Sequence, residues 1–458
     1  MNLNHAPPAR VAPPATVSII TLGCKANQYD SSAIGAIFLA SGVEVVEFPC
    51  PADAYVINTC TVTFGADAQA RTFIRRARKI NPEAVIVVTG CYAQAAPDEV
   101  IKIGDIDYVL GNPEKGRILE YVLKGRTAGA PAVDVGDYKD GTPFTLRAFS
   151  SAGRTRINLK VQDGCNRNCS YCIIPRARGA SKSLGLDEVE REIDIIAQKG
   201  YKEIILTGIH LGAYGGDLAG KADVTSIVEL IGRRRWPCRF RVSSLDPDEV
   251  TDEFIEALKD AEKICRHLHL CLQSGDNTVL RRMNRPYTRR QFAGRVEKLA
   301  SVVKGISIGV DVIAGFPGEG EKEFENTFSL LKDLPVSYLH VFPFSKRRGT
   351  PAASFSGQVS GAVIKERCLR LRGLDAQKRT QFHDGFTGKE AEVLLESGRD
   401  RKTGLLKGKT GNYITVLVEG PGVASLAGVQ PPADELKNSM VKVSLAHYAP
   451  YAMKGTLL

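Results

Sequence analysis

No run of about 18 apolar residues occurs in the chain, which argues against a hydrophobic helix spanning a membrane. The amino end also lacks the apolar core of a secretory signal. Residues 6–15 read APPARVAPPA, so residues 1–15 are expected to be a disordered leader. Without export, the cytoplasm is the expected compartment, where thiols serve as metal ligands or nucleophiles more often than as disulfides. Acidic residues are outnumbered, 51 against 61 basic ones, which leaves a formal net charge of +10. An acidic partner, nucleic acid above all, fits that balance, although solubility alone also accounts for it. No internal repeat stands out beyond an alternation of strands and helices.

What is present points to a folded protein of several domains. At roughly 150 residues per domain, the 458 residues allow about three. From 16 to 145, apolar runs at 17–20, 43–48, 54–58, 85–90 and 107–111 read as strands, with helical patterns at 28–41 and 66–80. That alternation predicts an α/β domain with a doubly wound parallel sheet. A Gly/Thr/Ser/Arg stretch at 136–155 reads as a linker. A second domain, 150–383, repeats the alternation. Its strands are expected at 156–161, 203–208, 239–245, 267–272, 306–316 and 337–344. Helical patterns lie at 187–199, 247–260, 288–303 and 321–333, and a long polar helix at 361–383. Six such units predict a partial (βα)6 barrel. The tail, 386–450, alternates at period two over 392–396, 404–410, 412–420 and 440–448, which predicts a small antiparallel β-barrel.

The strongest chemical signal is Cys165-Asn-Arg-Asn-Cys169-Ser-Tyr-Cys172. Three thiols within eight residues can wrap one small inorganic centre. A structural zinc site needs four closed ligands, and no fourth Cys or His lies nearby. Three ligands suit a four-iron cluster with one iron left open. The C-x3-C-x2-C spacing, with an aromatic before the last Cys, resembles the radical S-adenosylmethionine family. In that family the open iron chelates the amino and carboxylate groups of S-adenosylmethionine, and reductive cleavage yields a 5′-deoxyadenosyl radical. Active sites of such barrels lie at the carboxyl ends of the strands. Thr207, Gly208, Ser243, Gln273 and Ser274, with Gly315, occupy those ends and resemble the positions that contact the cofactor; Tyr171 would lie beside its adenine.

A second trio is scattered. Cys24, Cys60 and Cys91 each follow a strand-like run, with gaps of 36 and 31 residues, about one βα repeat. In a parallel sheet all three emerge at the carboxyl edge, where ligands bind in open α/β sheets. Three converging thiolates there could hold a second four-iron cluster. Taken one at a time, each fits an ordinary buried cysteine.

Nearly the whole chain, about 16–448, resembles the methylthiotransferases of the radical S-adenosylmethionine superfamily. The resemblance rests on TLGCKANQYDS (21–31), INTCTVT (57–63), VTGCYAQ (88–94), QDGCNRNCSYCIIPRARG (162–179), TGIHLGAYG (207–215), RVSSLDPDEV (241–250), LHLCLQSGDNTVLRRMNR (268–285), DVIAGFPGE (311–319) and HVFPFSKRRGTPAA (340–353). The wording of LGCKANQYD, GIHLGAYG and VFPFSKRRGTP is similar to the branch that acts on N6-threonylcarbamoyladenosine at tRNA position 37. Two other branches act on N6-isopentenyladenosine in tRNA and on an aspartate of a ribosomal protein. Ala26 stands where Val is more usual, and the leader has no counterpart.

The resemblance implies two four-iron clusters, on Cys24, Cys60 and Cys91 and on Cys165, Cys169 and Cys172, with S-adenosylmethionine as the further cofactor. Cys50, Cys238, Cys265, Cys271 and Cys368 are expected to be packing residues. The implied product is a 2-methylthio group at carbon 2 of the adenine. That C–H bond is aromatic and inert, and no ordinary base removes its proton, so the chemistry calls for a radical. The implied partners are the tRNA anticodon stem-loop and a reductant such as a flavodoxin or ferredoxin, with a monomer as the expected state. The tail resembles a TRAM domain, an RNA-binding module. Its Lys389, Arg399, Arg401, Lys402, Lys407 and Lys409 are candidate phosphate contacts, as are Arg71, Arg75, Arg76, Arg78 and Lys79 in the 66–80 helix, Arg233–Arg235 and Lys346–Arg348. Arg176 and Arg178 are expected to approach substrate or cofactor phosphates. His210, His267, His269 and His340 are read as packed, hydrogen-bonded strand residues. The rival of another class is a zinc-containing RNA-binding protein without catalysis.

Overall fold

The computed structural model describes residues 14–138, 146–147, 155–419 and 438–458. Most of the leader and parts of the 136–155 stretch lie outside the described residues. The chain divides into two units: Met1–Ser150 with Ile173–Gly179, and the remainder.

In the first unit six parallel strands form one sheet: β1 (Thr16–Thr21), β2 (Glu44–Val46), β3 (Ala54–Thr59), β4 (Val85–Gly90), β5 (Tyr108–Leu110) and β6 (Ala132–Asp134). Their order is β2-β1-β3-β4-β5-β6. Every residue of β3 and β4 is buried, as in a sheet covered on both faces. On one face Ala70, Ile74 and Ala77 of α2 (Phe64–Ile80) pack on Tyr55, Ile57, Ile86 and Val88. On the other, Ile34 and Phe38 of α1 (Lys25–Ala40) and Ile118 of α5 (Ile118–Leu123) pack on Val56 and Val87. Three short helices complete the unit: α3 (Cys91–Ala95), α4 (Pro97–Ile101) and α6 (Ile174–Arg178). Thr63 starts α2 two residues before the expected position, because its side chain accepts from Ala66 N. The strand expected over 43–48 keeps only Glu44–Val46, and the exposed edge strand β6 had no signal in the sequence reading.

The second unit begins with β7 (Arg156–Lys160). A small antiparallel pair, β8 (Gln162–Asp163) and β9 (Lys182–Ser183), brackets the cysteine loop. Parallel strands β10 (Glu203–Thr207), β11 (Arg239–Val242), β12 (Ser244–Leu245), β13 (His267–Gln273), β14 (Ser307–Ala314) and β15 (Tyr338–Pro343) follow. The expected strand 239–245 breaks at Ser243, so the partial barrel is two sheets, β11-β10-β7 and β12-β13-β14-β15. Its helices are α7 (Leu186–Gln198), α8 (Val224–Arg233), α9 (Asp252–Asp260), α10 (Asn277–Arg282), α11 (Arg289–Val302) and α12 (Glu321–Asp333). The helix expected over 247–260 is interrupted, because Thr251 accepts from Phe254 N and starts α9 afresh. Helices α8 and α10 were not anticipated. The polar helix α13 (Gly361–Asp384) buries charges that are all engaged: Arg367 pairs with Glu319, and Asp375 accepts from Leu339 N and pairs with Arg379. Among the described residues no helix is long and apolar enough to cross a membrane.

The tail closes as a five-stranded barrel, β16 (Glu390–Arg399), β17 (Leu406–Thr410), β18 (Thr415–Glu419), β19 (Met440–Ala449) and β20 (Ala452–Leu457), ordered β16-β17-β18-β20-β19. Strand β20 had no signal in the sequence reading. This barrel is joined to the amino ends of the parallel strands. Arg239 donates to Lys409 O at 2.9 Å, and Arg241 to Gly411 O at 3.0 Å and Thr410 O at 3.2 Å. Both guanidiniums also pair with Glu203, at 2.7 and 3.0 Å. Tyr413 lies 4.5 Å from His267, ring to ring. Lys409 therefore points to this junction: its ammonium sits 4.4 Å from the Tyr413 ring, and burial, with Arg156 nearby, lowers it to about 7. It is not the phosphate contact expected of it.

Burial alone would raise the Glu203 carboxyl, but Arg241 and Arg239 outweigh it and hold it at about 2. An acid lowered on folding stabilises above its unfolded pKa and loses that contribution as pH falls toward the folded one. Glu203→Gln is expected to cost about 3–5 kcal/mol at neutral pH, because it strands buried guanidiniums. In urea unfolding the difference from wild type should shrink between about pH 4.5 and pH 2.

Candidate functional site

In the first unit the three scattered cysteines meet. Thr59 and Gly90 are register partners in β3 and β4, so Cys60 and Cys91, the next residues, leave the sheet side by side. Thr21 of β1 pairs with Asn58 of β3, which brings the loop carrying Cys24 to the same edge. Strand order reverses between β1 and β3, and such switch points form clefts for ligands. Gly23 (φ +94°) makes the approach possible: a Cβ there would lie 2.5 Å from Cys60 Cβ and 2.6 Å from its Sγ. The Asn27 amide ties the loops together, donating to Leu22 O at 2.8 Å and Thr59 O at 2.9 Å. Burial, then the neighbouring Cys91 and Cys24 thiols, push the Cys60 thiol up to about 12, while Arg178 pulls it down. Three cysteine sulfurs so arranged can serve a soft metal centre together. The donor set fits three ligands of an iron–sulfur cluster.

In the second unit Cys165, Cys169 and Cys172 lie on the loop after β8. Ser170 Oγ donates to Arg282 O at 2.7 Å, and Ala352 N to Ser170 O at 2.8 Å, so the 277–285 segment and residue 352 hold the loop. Arg285 Nη1 approaches Cys169 Sγ at 3.1 Å, and His210 Nδ1 lies 3.6 Å from Cys165 Sγ. Polar groups at this range hold and orient a ligating sulfur. Arg285 also pairs with Asp246, and His210 Nε2 faces Glu249 and Asp246. Burial would lower the His210 imidazole, but Asp246, Cys165 and Glu249 push it up to about 12. Here too the residues fit a cluster, with a cationic layer behind the sulfurs.

The other predicted residues fall at the expected strand ends. Tyr171 packs edge-on to Phe316 at 6.4 Å, within an apolar group including Met283 and Ala352. Thr207 ends β10, and a Cβ on Gly208 would come 2.8 Å from Gln162 Oε1. Ser243 lies at the break between β11 and β12, and Gln273 takes φ +65° after a bulge at the end of β13. For a non-glycine residue this is a strained conformation of the kind that gathers at ligand sites. Ser274 is fully buried, 3.3 Å from Thr327 Oγ1. At Gly315 the space of a Cβ is filled by Ile364 of α13.

Some expectations are corrected. Arg178 does not reach toward phosphates; it is buried in the first unit and paired with Asp30 at 3.1 Å. Cys50 is exposed, not packed in a core. Arg78 is committed to Asp107 at 2.9 Å and Arg234 to Glu190. Arg285, Asp246 and Glu249 were missed as site residues and His210 was read as packing. All four stand inside the quoted motifs, but charge pairing over 36 to 39 residues leaves no local signal. His267 and His269 are packed as expected, both against the Tyr338 hydroxyl, at 2.8 and 3.1 Å, and His269 also meets Asp311 at 2.7 Å.

Fold and cysteine loop together define a radical S-adenosylmethionine protein, and the Radical SAM superfamily matches residues 159–331. The Uncharacterized protein family UPF0004 matches 16–111. The threonylcarbamoyladenosine tRNA methylthiotransferase MtaB of Bacillus subtilis (strain 168) is 42% identical over 89% of this chain and 91% of its own length. The protein of the same name from Aquifex aeolicus (strain VF5) is 40% identical over 88% and 97%. A tRNA-2-methylthio-N(6)-dimethylallyladenosine synthase of Fusobacterium nucleatum subsp. nucleatum is 33% identical over 88% and 93%. The radical S-adenosylmethionine methyltransferase TsrM of Kitasatospora setae, solved with cobalamin and a [4Fe-4S] cluster, shares the fold: TM-score 0.55, 17% identity, 74% of this chain and 77% of that one. The chain belongs to the radical S-adenosylmethionine methylthiotransferase family, in the threonylcarbamoyladenosine tRNA branch.

Thiol labelling of the reduced, metal-free protein tests the geometry. Cys24 and Cys50, which are exposed, should react at native-state rates. Cys60 and Cys91, both buried, should be protected until the protein unfolds. Peptide mass spectrometry over time reads the order, and equal rates at Cys24 and Cys60 would contradict the site.

Proposed function

We propose that this chain installs a methylthio group at carbon 2 of N6-threonylcarbamoyladenosine at position 37 of tRNA, using two four-iron clusters. One observation carries the reading. Cys24, Cys60 and Cys91 converge at one sheet edge, in a chain whose second unit presents the C-x3-C-x2-C loop. A second thiol trio is what sulfur insertion requires beyond hydrogen abstraction. The base assignment is supported by the two relatives named for it, at 42% and 40% identity, against 33% for the dimethylallyladenosine synthase.

On this reading Cys165, Cys169 and Cys172 hold the cluster that with S-adenosylmethionine supplies a 5′-deoxyadenosyl radical, and Cys24, Cys60 and Cys91 hold one that holds or donates the sulfur. The chain's own residues position and shield. Arg285 and His210 orient the sulfurs of Cys169 and Cys165. Tyr171, Thr207, Gly208, Ser243, Gln273 and Ser274 form the cofactor-binding rim. Domain 16–145 serves the second cluster, domain 150–383 the radical chemistry, and the 386–450 barrel binds RNA. The exposed Lys389, Arg401 and Lys402 on that barrel, and Arg75 and Lys79 on α2, bind phosphates without reading bases. The target base turns out of the anticodon loop to be reached. A flavodoxin or ferredoxin delivers the electron.

Two measurements test this. tRNA from a deletion strain should lose the methylthio form of threonylcarbamoyladenosine and keep the unmodified one. Loss confined to isopentenyladenosine, or intact tRNA, would assign another branch. After anaerobic reconstitution, Cys169→Ala should abolish S-adenosylmethionine cleavage while about half of the iron remains. Zinc binding without iron would reject the reading altogether.

A further inference from the structure

The short helix α6 is capped by Ile173, directly after the last thiol of the radical loop, yet it belongs to the first unit. There Ile173 and Ala177 pack on Cys91 and Ala95, and Asn112 Nδ2 donates to Ala177 O at 2.7 Å. Its last residue, Arg178, is among the largest fully buried side chains described. Arg178 Nη2 donates to Asn27 Oδ1 and pairs with Asp30 at 3.1 Å. Lys115 Nζ meets the same Asp30 oxygen at 2.7 Å. All three charged side chains are 1–2% exposed.

We propose that Arg178, backed by Asp30 and Lys115, is a positioning residue for the second cluster, fixing the three cysteine loops and setting the charge behind them. The inference rests on the reading that Cys24, Cys60 and Cys91 bind a cluster. The geometry links one side chain to all three loops. Through Asn27 it reaches Leu22 O, two residues before Cys24, and Thr59 O, one before Cys60. The helix that carries it packs Ile173 and Ala177 against Cys91. Buried cations facing thiolate sulfur stabilise the more negative, reduced form of a cluster, because field strength grows in a low dielectric. One stretch of chain, 165–179, thus supplies three thiols to one site and a cation to the other.

The test uses the full-length protein with Cys165, Cys169 and Cys172 changed to Ala, so that only the second site can load iron. It is reconstituted anaerobically, and iron and sulfide content, the electron paramagnetic resonance spectrum and the midpoint potential are measured. Arg178→Gln in that background is expected to lose at least half of the bound iron, and the cluster that remains should have a lower potential. Arg178→Lys, which keeps the charge but not the two-point contact, should lose iron while the potential of the retained cluster stays near the parent value. If the parent binds no cluster, the reading of the cysteines fails. If the parent binds one and neither substitution moves iron content, spectrum or potential, the role given to Arg178 is wrong and the cluster stands. Should Arg178→Gln not fold by circular dichroism, the Lys variant decides: undiminished iron retention overturns the proposal.

Discussion

Cys60 and Cys91 stand beside one another because the residues before them, Thr59 and Gly90, are partners in adjacent parallel strands. Parallel pairing sends every strand out at the same edge, and each crossover consumes about thirty residues before the next. Thiols far apart in the chain are thereby gathered without any local motif. The glycine before Cys24 removes the one Cβ that would keep Cys24's loop from closing on Cys60. The second unit solves the same problem differently, with three thiols on one short loop at the carboxyl ends of its own strands.

Buried charge is placed according to which end of the strands it serves. At the amino ends Glu203 collects Arg239 and Arg241, whose remaining donors hold the carbonyls of the tail barrel. That network is structural: it seats one β-barrel under another. At the carboxyl ends Arg285 and His210 lie beside Cys169 and Cys165, and Arg178 holds Asn27, whose amide ties the Cys24 and Cys60 loops together. A buried cation is costly without an anion, and each of these has a carboxylate: Asp246 for Arg285, Glu249 for His210 and Asp30 for Arg178. The cysteines and their cations are best understood as one electrostatic design.

Much of this was written locally. Apolar runs with helical patterns between them specify parallel βα units, since strands covered on both faces must be apolar along their whole length. Six of those units, the three-thiol loop and the period-two tail needed no more than neighbouring residues. The trio of Cys24, Cys60 and Cys91 was inferable because each follows a strand, and a parallel sheet converts that position into proximity. Other features depended on partners far along the chain. The break at Ser243, the hold of Arg239 and Arg241 on the carbonyls of Lys409 and Gly411, and the pairing of Arg285 with Asp246 join segments with no shared periodicity. Arg178 shows the difference most clearly: beside a cluster motif it reads as an exposed cation, and only the folded chain turns its helix into the first unit against Asp30. Sequence alone marked the six thiols on which the proposed chemistry rests, because thiol spacing and strand pattern are local quantities. Tertiary structure decided which charges serve it, because an ion pair is set by distance in space and leaves no period in the chain.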